Sequence, residues 1–147
     1  MELVTRTLCR AAFAALPLSF SVGALAADHL VVVVSASSNA PKLTGEQVSA
    51  IFLGSVKSFP NGDKAIPIDQ TAGSPAYGQF YSQVAGRSEA QIKAYWSRMV
   101  FTGKGAPPQE AGDAGAVKKL VASNPNLVGY IDAAQVDGSV KVLAEIK

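Results

Sequence analysis

The apolar pattern of the chain changes period several times, and each change marks an element. His29-Leu30-Val31-Val32-Val33-Val34-Ser35 is a continuous, β-branched run with no polar alternation. Such a run predicts a strand covered on both faces, as in a parallel or mixed sheet with helices packed on it. Ser37, Ser38, Asn39 and Pro41 then form a loop. Thr44-Gly45-Glu46-Gln47 reads as a capping box ahead of Val48, Ile51 and Phe52, which share one helical face until Gly54 stops the helix. Phe59 to Asp63 is a turn, and Lys64 to Gln70 (KAIPIDQ) a short strand in which Pro67 suggests an edge position.

Ser74 and Pro75 open a second helix as N-cap and first helical residue, with Tyr77, Phe80, Tyr81 and Val84 as its buried stripe and Gly86 at its end. Ser88 starts a third helix, with Ile92, Tyr95, Trp96, Met99 and Val100 at helical spacing; Trp96, Tyr95 and Phe101 read as core. Thr102 to Gln109 is a flexible loop, and residues 113–123 form a fourth helix around Val117, Leu120 and Val121. Leu127 to Ile131 and Val140 to Ile146 are strands. The predicted order β-α-β-α-α-α-β-β belongs to an α/β domain. No internal repeat and no linker divides it.

The N-terminus has a different character. Arg6 and Arg10 precede fifteen uncharged residues, Ala11 to Leu25, and Ala24 and Ala26 supply small residues at the −3 and −1 positions. That is the pattern of a secretory signal peptide over residues 1–26, with one domain over 27–147 and a periplasmic destination. The run is shorter than the roughly 20 residues a bilayer core needs, and Pro17 interrupts it. Cleavage after Ala26 leaves 121 of the 147 residues, without cysteine and with 11 basic and 10 acidic side chains. The absence of thiols suits an oxidising compartment. A near-balance of charge argues against nucleic acid, which calls for clustered Lys and Arg. One Cys and one His exclude a disulfide framework and any Cys- or multi-His metal site.

The chemistry that remains is that of a binding site. Open α/β sheets take ligands beyond the carboxyl ends of their strands. On the predicted order, Ser35 to Asn39, Asp69 to Ser74 and Asp132 all arrive there. Ser74 also caps a helix, whose exposed amides and positive dipole end favour an anion. Gln70, Gly73 and Ser74, with Ser37 and Ser38 opposite, are therefore the candidate ligand residues for a small oxyanion. Lys104, between two glycines, reads as a solvated loop lysine, and Arg98 as a structural partner for a carboxylate. His29 has no acidic or hydroxyl partner in motif spacing. Asp69, Asp132 and Asp137 lack the alternation of a calcium loop. With no Gly-x-Ser-x-Gly elbow and no Walker-type loop, the expectation is a non-enzyme without cofactor.

The stretches LTGEQVSAIFLG, FPNGDKAIPIDQTAGSPAYGQFY, YWSRMVFTGKGAPP and NPNLVGYIDAAQV resemble the phosphate-type periplasmic substrate-binding proteins of ABC transporters. The resemblance is closer to their short, single-lobe relatives and runs from Leu30 to Leu143. It implies a three-layer lobe of the type 2 periplasmic binding protein fold, a mixed sheet flanked by helices. It also implies phosphate as the first ligand and a membrane transporter as partner. The long proteins carry an Arg, then Asp-Gly-Ser-Gly-Thr, at the phosphate-binding helix start. Here Gly73 and Ser74 match, while Gln70 stands for the Arg, Ala72 for the Asp and Ala76 for the Thr. A buried phosphate needs many donors, and a bidentate Arg is among the strongest. Those departures motivate a second reading, a ligand-free interaction module whose lobe face docks a membrane or periplasmic partner or pairs with itself.

Overall fold

The computed structural model describes residues 29–147; the stretch read from the sequence as a signal peptide, residues 1–26, lies outside them. Five strands form one sheet: β1 (Leu30–Ser35), β2 (Ile66–Gln70), β3 (Gln109–Gly112), β4 (Leu127–Asp132) and β5 (Val140–Glu145), in the order β3-β2-β4-β1-β5. β2 is parallel to both β3 and β4, whereas β1 is antiparallel to β4 and to β5. Four strands thus point one way and β1 alone points the other. The sheet is mixed, one of the two arrangements that the unbroken apolar run of β1 left open, and all six β1 residues are buried.

Helices cover both faces. α1 (Gly45–Phe52), α2 (Pro75–Ala85) and α3 (Glu89–Phe101) lie on one side, where Leu30, Val32, Val34, Val128 and Tyr130 meet Val48, Phe52, Phe80, Tyr81 and Ile92. The Phe80 and Tyr130 rings stack there at 3.9 Å between centroids, with Phe52 edge-on to Phe80. α4 (Ala114–Ser123) covers the other side through Val117 and Val121, packed on Val31, Val33, Ile68 and Ile131. Alternate residues of β1 feed the two clusters, the period-2 geometry of a strand between layers. Gly129 makes the close approach of α4 possible: a Cβ there would stand 2.5 Å from Val117 Cγ1.

The helix starts follow the sequence. Thr44 and Gln47 form the expected capping box, Ser88 and Gln91 a second, and Ser74 caps α2 with Pro75 at its first turn. Gly86 closes α2 in the left-handed conformation at φ 62°.

Four expectations need correction. Pro67 is not on an edge, since β2 lies between β3 and β4. Ile66 N–H donates to Asn126 on the β4 side, so by strand alternation Pro67 N faces the β3 side. Pairing with β3 begins only at Ile68, and no ladder bond is lost. The loop predicted over Thr102 to Gln109 ends in a strand that the pattern did not show: β3 is the edge, and its Gln-Glu-Ala-Gly carries no β-branched residue. Leu120 is 38% exposed rather than part of the α4 stripe. Phe101, expected in the core, is 92% exposed, because it falls on the face of α3 away from the buried Ile92 and Trp96.

Candidate functional site

The reversed direction of β1 decides which candidate residues meet. Pro67 of β2 is level with Val128 of β4, so Gln70 comes level with Ile131. Ile131 pairs with Val31, near the start of β1. Ser35, the last residue of β1, is four residues further on, roughly 13 Å away along the sheet. The structure therefore brings Gln70, Gly73 and Ser74 together on one loop and sends Ser37 and Ser38 to the opposite end. This corrects the expectation that the two serines face that loop. A strand's direction is set by its connections and not by its own side chains.

At the Ser37–Ser38 end the hydroxyls are occupied internally. Ser35 Oγ and Ser37 Oγ lie 2.9 Å apart, and Ser38 Oγ accepts from Ala40 N–H at 3.1 Å. Lys141 Nζ donates to the Ser38 carbonyl at 2.6 Å. The cluster closes the turn after β1 against the start of β5.

The carboxyl ends of β2, β3 and β4 make the other end. The loop from Thr71 to Ser74 leads into α2: Thr71 N–H donates to Gly112, Ser74 N–H to Thr71 O, and Gly73 turns the chain at φ 88°. A side chain at Gly73 would be strained in that left-handed region. Ser74 Oγ accepts from Tyr77 N–H, Pro75 has no N–H, and Gly78 N–H returns to the Ser74 carbonyl. Helix geometry leaves the Ala76 amide pointing out of the N-terminus. The cap of α2 is neutral and its first turn has no acidic residue, whereas α4 carries Asp113 at its N-cap. The α4 dipole end is thereby neutralised by its own chain.

Gln70 is buried, and it faces inward: Nε2 donates to the Tyr130 carbonyl at 3.0 Å, and its N–H donates to Tyr130 Oη at 3.3 Å. It braces the loop from below.

Three carboxylates surround this loop: Asp69, which the sequence placed at this end of the sheet without a role, and Glu89 and Glu110, which it did not single out. Asp69 is buried beneath it, accepting from Tyr81 Oη at 2.8 Å and Tyr130 Oη at 3.1 Å. Burial pushes its carboxyl up to about 7, against the lowering effect of the two phenol hydrogen bonds. Tyr81 and Tyr130 are themselves pushed up, by burial first and by the Asp69 charge second. Glu110 Oε1 accepts from Ala72 N–H at 3.4 Å, a long contact that sets a carboxylate against the loop. Glu89 comes close to Gly73, 3.7 Å from where its Cβ would be. Tyr77 registers all three: burial raises its hydroxyl to about 12, reinforced by Asp69, Glu89 and Glu110. A strand ending in Ile-Asp-Gln with Tyr77 and Tyr81 one turn apart on the next helix was the available signal.

Beside the loop lies a hollow of about 770 Å3, lined by Ala72, Tyr77, Glu89, Lys93, Trp96, Ser97, Val100, Phe101, Pro107 and Glu110. Trp96 is buried, and its Nε1 has no hydrogen-bond partner. Lys104 is exposed on the turn after α3. Arg98 lines a separate polar depression with Arg87 and Tyr95, and the Arg87 guanidinium lies 4.9 Å from the Tyr95 ring centre. Among the described residues no group of three or more His, Cys, Asp or Glu is placed to hold a metal ion. No described helix is long and apolar enough to cross a membrane.

No protein-family model matches the chain. Among solved structures it is similar to a putative phosphate ABC transporter substrate-binding protein with bound phosphate from Clostridium perfringens, with TM-score 0.63 and 21% identity. That match covers 79% of this chain and 44% of the other. An ABC-type phosphate transport receptor from Vibrio cholerae gives TM-score 0.62 at 24% identity, over 79% of this chain and 45% of that one. PstS from Borrelia burgdorferi gives TM-score 0.57 at 16% identity, over 80% and 47%. The chain spans less than half the length of each of these proteins. It has the α/β fold of one part of phosphate-transport substrate-binding proteins, a mixed five-stranded sheet between helices.

Proposed function

We propose that this chain is a solute-binding lobe that holds a small oxyanion, phosphate first, at the loop from Thr71 to Ser74 and the start of α2. The binding is non-covalent. The observation that carries the reading is the neutral, serine-capped N-terminus of an eleven-residue helix at the carboxyl end of a parallel strand. Amides and dipole favour an anion at such a place. The Ser74 hydroxyl and the amides of Gly73 and Ala76 are the donors; Gln70 supports the loop from beneath. Ser37 and Ser38 take no part. The fold shared with phosphate-transport proteins supports the same reading, and we extend it to a delivery role beside a membrane transporter.

Affinity is limited by what surrounds the donors. The family's Arg is replaced by Gln70, whose side chain is used internally. Glu89 and Glu110 oppose a second negative charge. Binding is accordingly weak and screened by salt.

Calorimetric titration with phosphate, with sulfate as the comparison anion, tests the reading. Saturable heat that diminishes in Ser74→Ala and grows in Glu110→Gln is the expected result. Absence of heat and of any thermal shift at millimolar phosphate, in both the natural chain and Glu110→Gln, overturns it.

A further inference from the structure

Phe101 and Val100 end α3 with 92% and 56% of their surfaces exposed, the two most exposed large apolar side chains among the described residues. They stand on the rim of the hollow that Trp96, Tyr77 and Pro107 also line. One face thus carries a protruding ring and an apolar recess side by side. An isologous contact needs such a pairing, because a two-fold axis places the protrusion of each copy in the recess of the other. The charges are arranged to match. Glu89 and Glu110 lie on the recess and outnumber its one cation, Lys93, and Lys104 sits three residues beyond Phe101, on the exposed turn that ends α3. None of these four takes part in an ion pair among the described residues. A ring entering the opposite recess carries its lysine toward the opposite carboxylates. A self-repelling face would have shown one sign only.

We infer that two copies of this chain pair through this face, Phe101 of each copy seated in the recess of the other and Lys104 set against Glu89 and Glu110. The pairing stands on this apolar and charged face and not on the oxyanion reading. It also bears on that site, because Ala72 and Tyr77 line the same recess. The second copy covers the loop and removes water from it.

Sedimentation velocity over a concentration series reaching about 100 µM, a range that reads micromolar dissociation constants, tests the pairing. The natural chain should shift from monomer to dimer along the series. Phe101→Asp should stay monomeric while keeping its circular dichroism and melting temperature, since the side chain is solvent-exposed in the monomer. Lys104→Glu should weaken the dimer tenfold or more, and adding Glu89→Lys should restore it. The second pair of variants decides the matter if Phe101→Asp proves unstable. A natural chain that remains monomeric throughout overturns the inference and leaves the face to another partner. A dimer that persists unchanged in Phe101→Asp, or is indifferent to the charge swap, overturns it as well.

Discussion

The two ends of the sheet use polar residues in opposite ways. At the end where β1 finishes, Ser35, Ser37, Ser38 and Lys141 satisfy one another and the backbone, the lysine being bound to a carbonyl. At the end where β2 finishes, a carboxylate is buried with only two phenols to hold it, and two more carboxylates stand around a helix start. The first arrangement is a closed turn. The second leaves charge and amides uncompensated by their own chain. Hydroxyl content alone does not mark a site: the serine-rich end is the structural one. Groups held at a free-energy cost are the better pointer.

The largest expected effect comes from the buried carboxylate. Asp69 holds its proton to about pH 7 in the folded chain against 3.8 for a free aspartate side chain. The folded state therefore binds more protons than the unfolded state between these values, and stability falls as pH rises through that window. About three pH units correspond to ~4 kcal/mol. Urea unfolding between pH 4 and pH 8 should show that slope in the natural chain and a much flatter one in Asp69→Asn. An identical slope in both would remove Asp69 as its source.

Next comes the hydroxyl that reaches it at the shorter distance. Tyr81→Phe leaves Asp69 with one donor fewer in a buried setting and should cost about 1–3 kcal/mol at pH 8. The loss should be smaller at pH 5, where the carboxyl is neutral and asks less of its donors. A loss independent of pH would mean that the ring, not the hydroxyl, matters there.

Ser74→Ala removes the hydroxyl that accepts from Tyr77 N–H and should cost about 1 kcal/mol as a lost helix cap. Weakened anion binding should accompany it. Ser37→Ala, at the other end, should stay within about 0.5 kcal/mol and leave anion binding unchanged. If the two serines exchanged these behaviours, the comparison between the ends would be reversed.

How far the sequence showed this depends on which physical signal each feature leaves. Ser74-Pro75 is a local signal, and α2 starts where those residues place it. Thr44 with Gln47 and Ser88 with Gln91 are equally local. The unbroken apolar run of β1 announced two covered faces and left a parallel and a mixed sheet open. Its antiparallel direction is a property of the whole topology, which no residue of the run encodes, and Ser37 and Ser38 were misplaced for that reason. β3 left no pattern because Gln-Glu-Ala-Gly pairs on one side only and buries little. On the helical period Phe101 falls on the face away from Ile92 and Trp96, so the period itself marked it as exposed. The cluster at Asp69 joins β2, α2 and β4, and its partners are 12 and 61 residues away in sequence.

The central claim is that the ligand end of this lobe is the loop from Thr71 to Ala76 and not the serine cluster after β1. A phosphate titration followed by two-dimensional amide NMR tests it most directly. Saturable shifts of the Ala72, Gly73, Ser74 and Ala76 amides, with Ser37 and Ser38 unmoved, are the predicted outcome. Shifts centred on Ser35 to Ser38, or no saturable shift between Thr71 and Ala76, would contradict it.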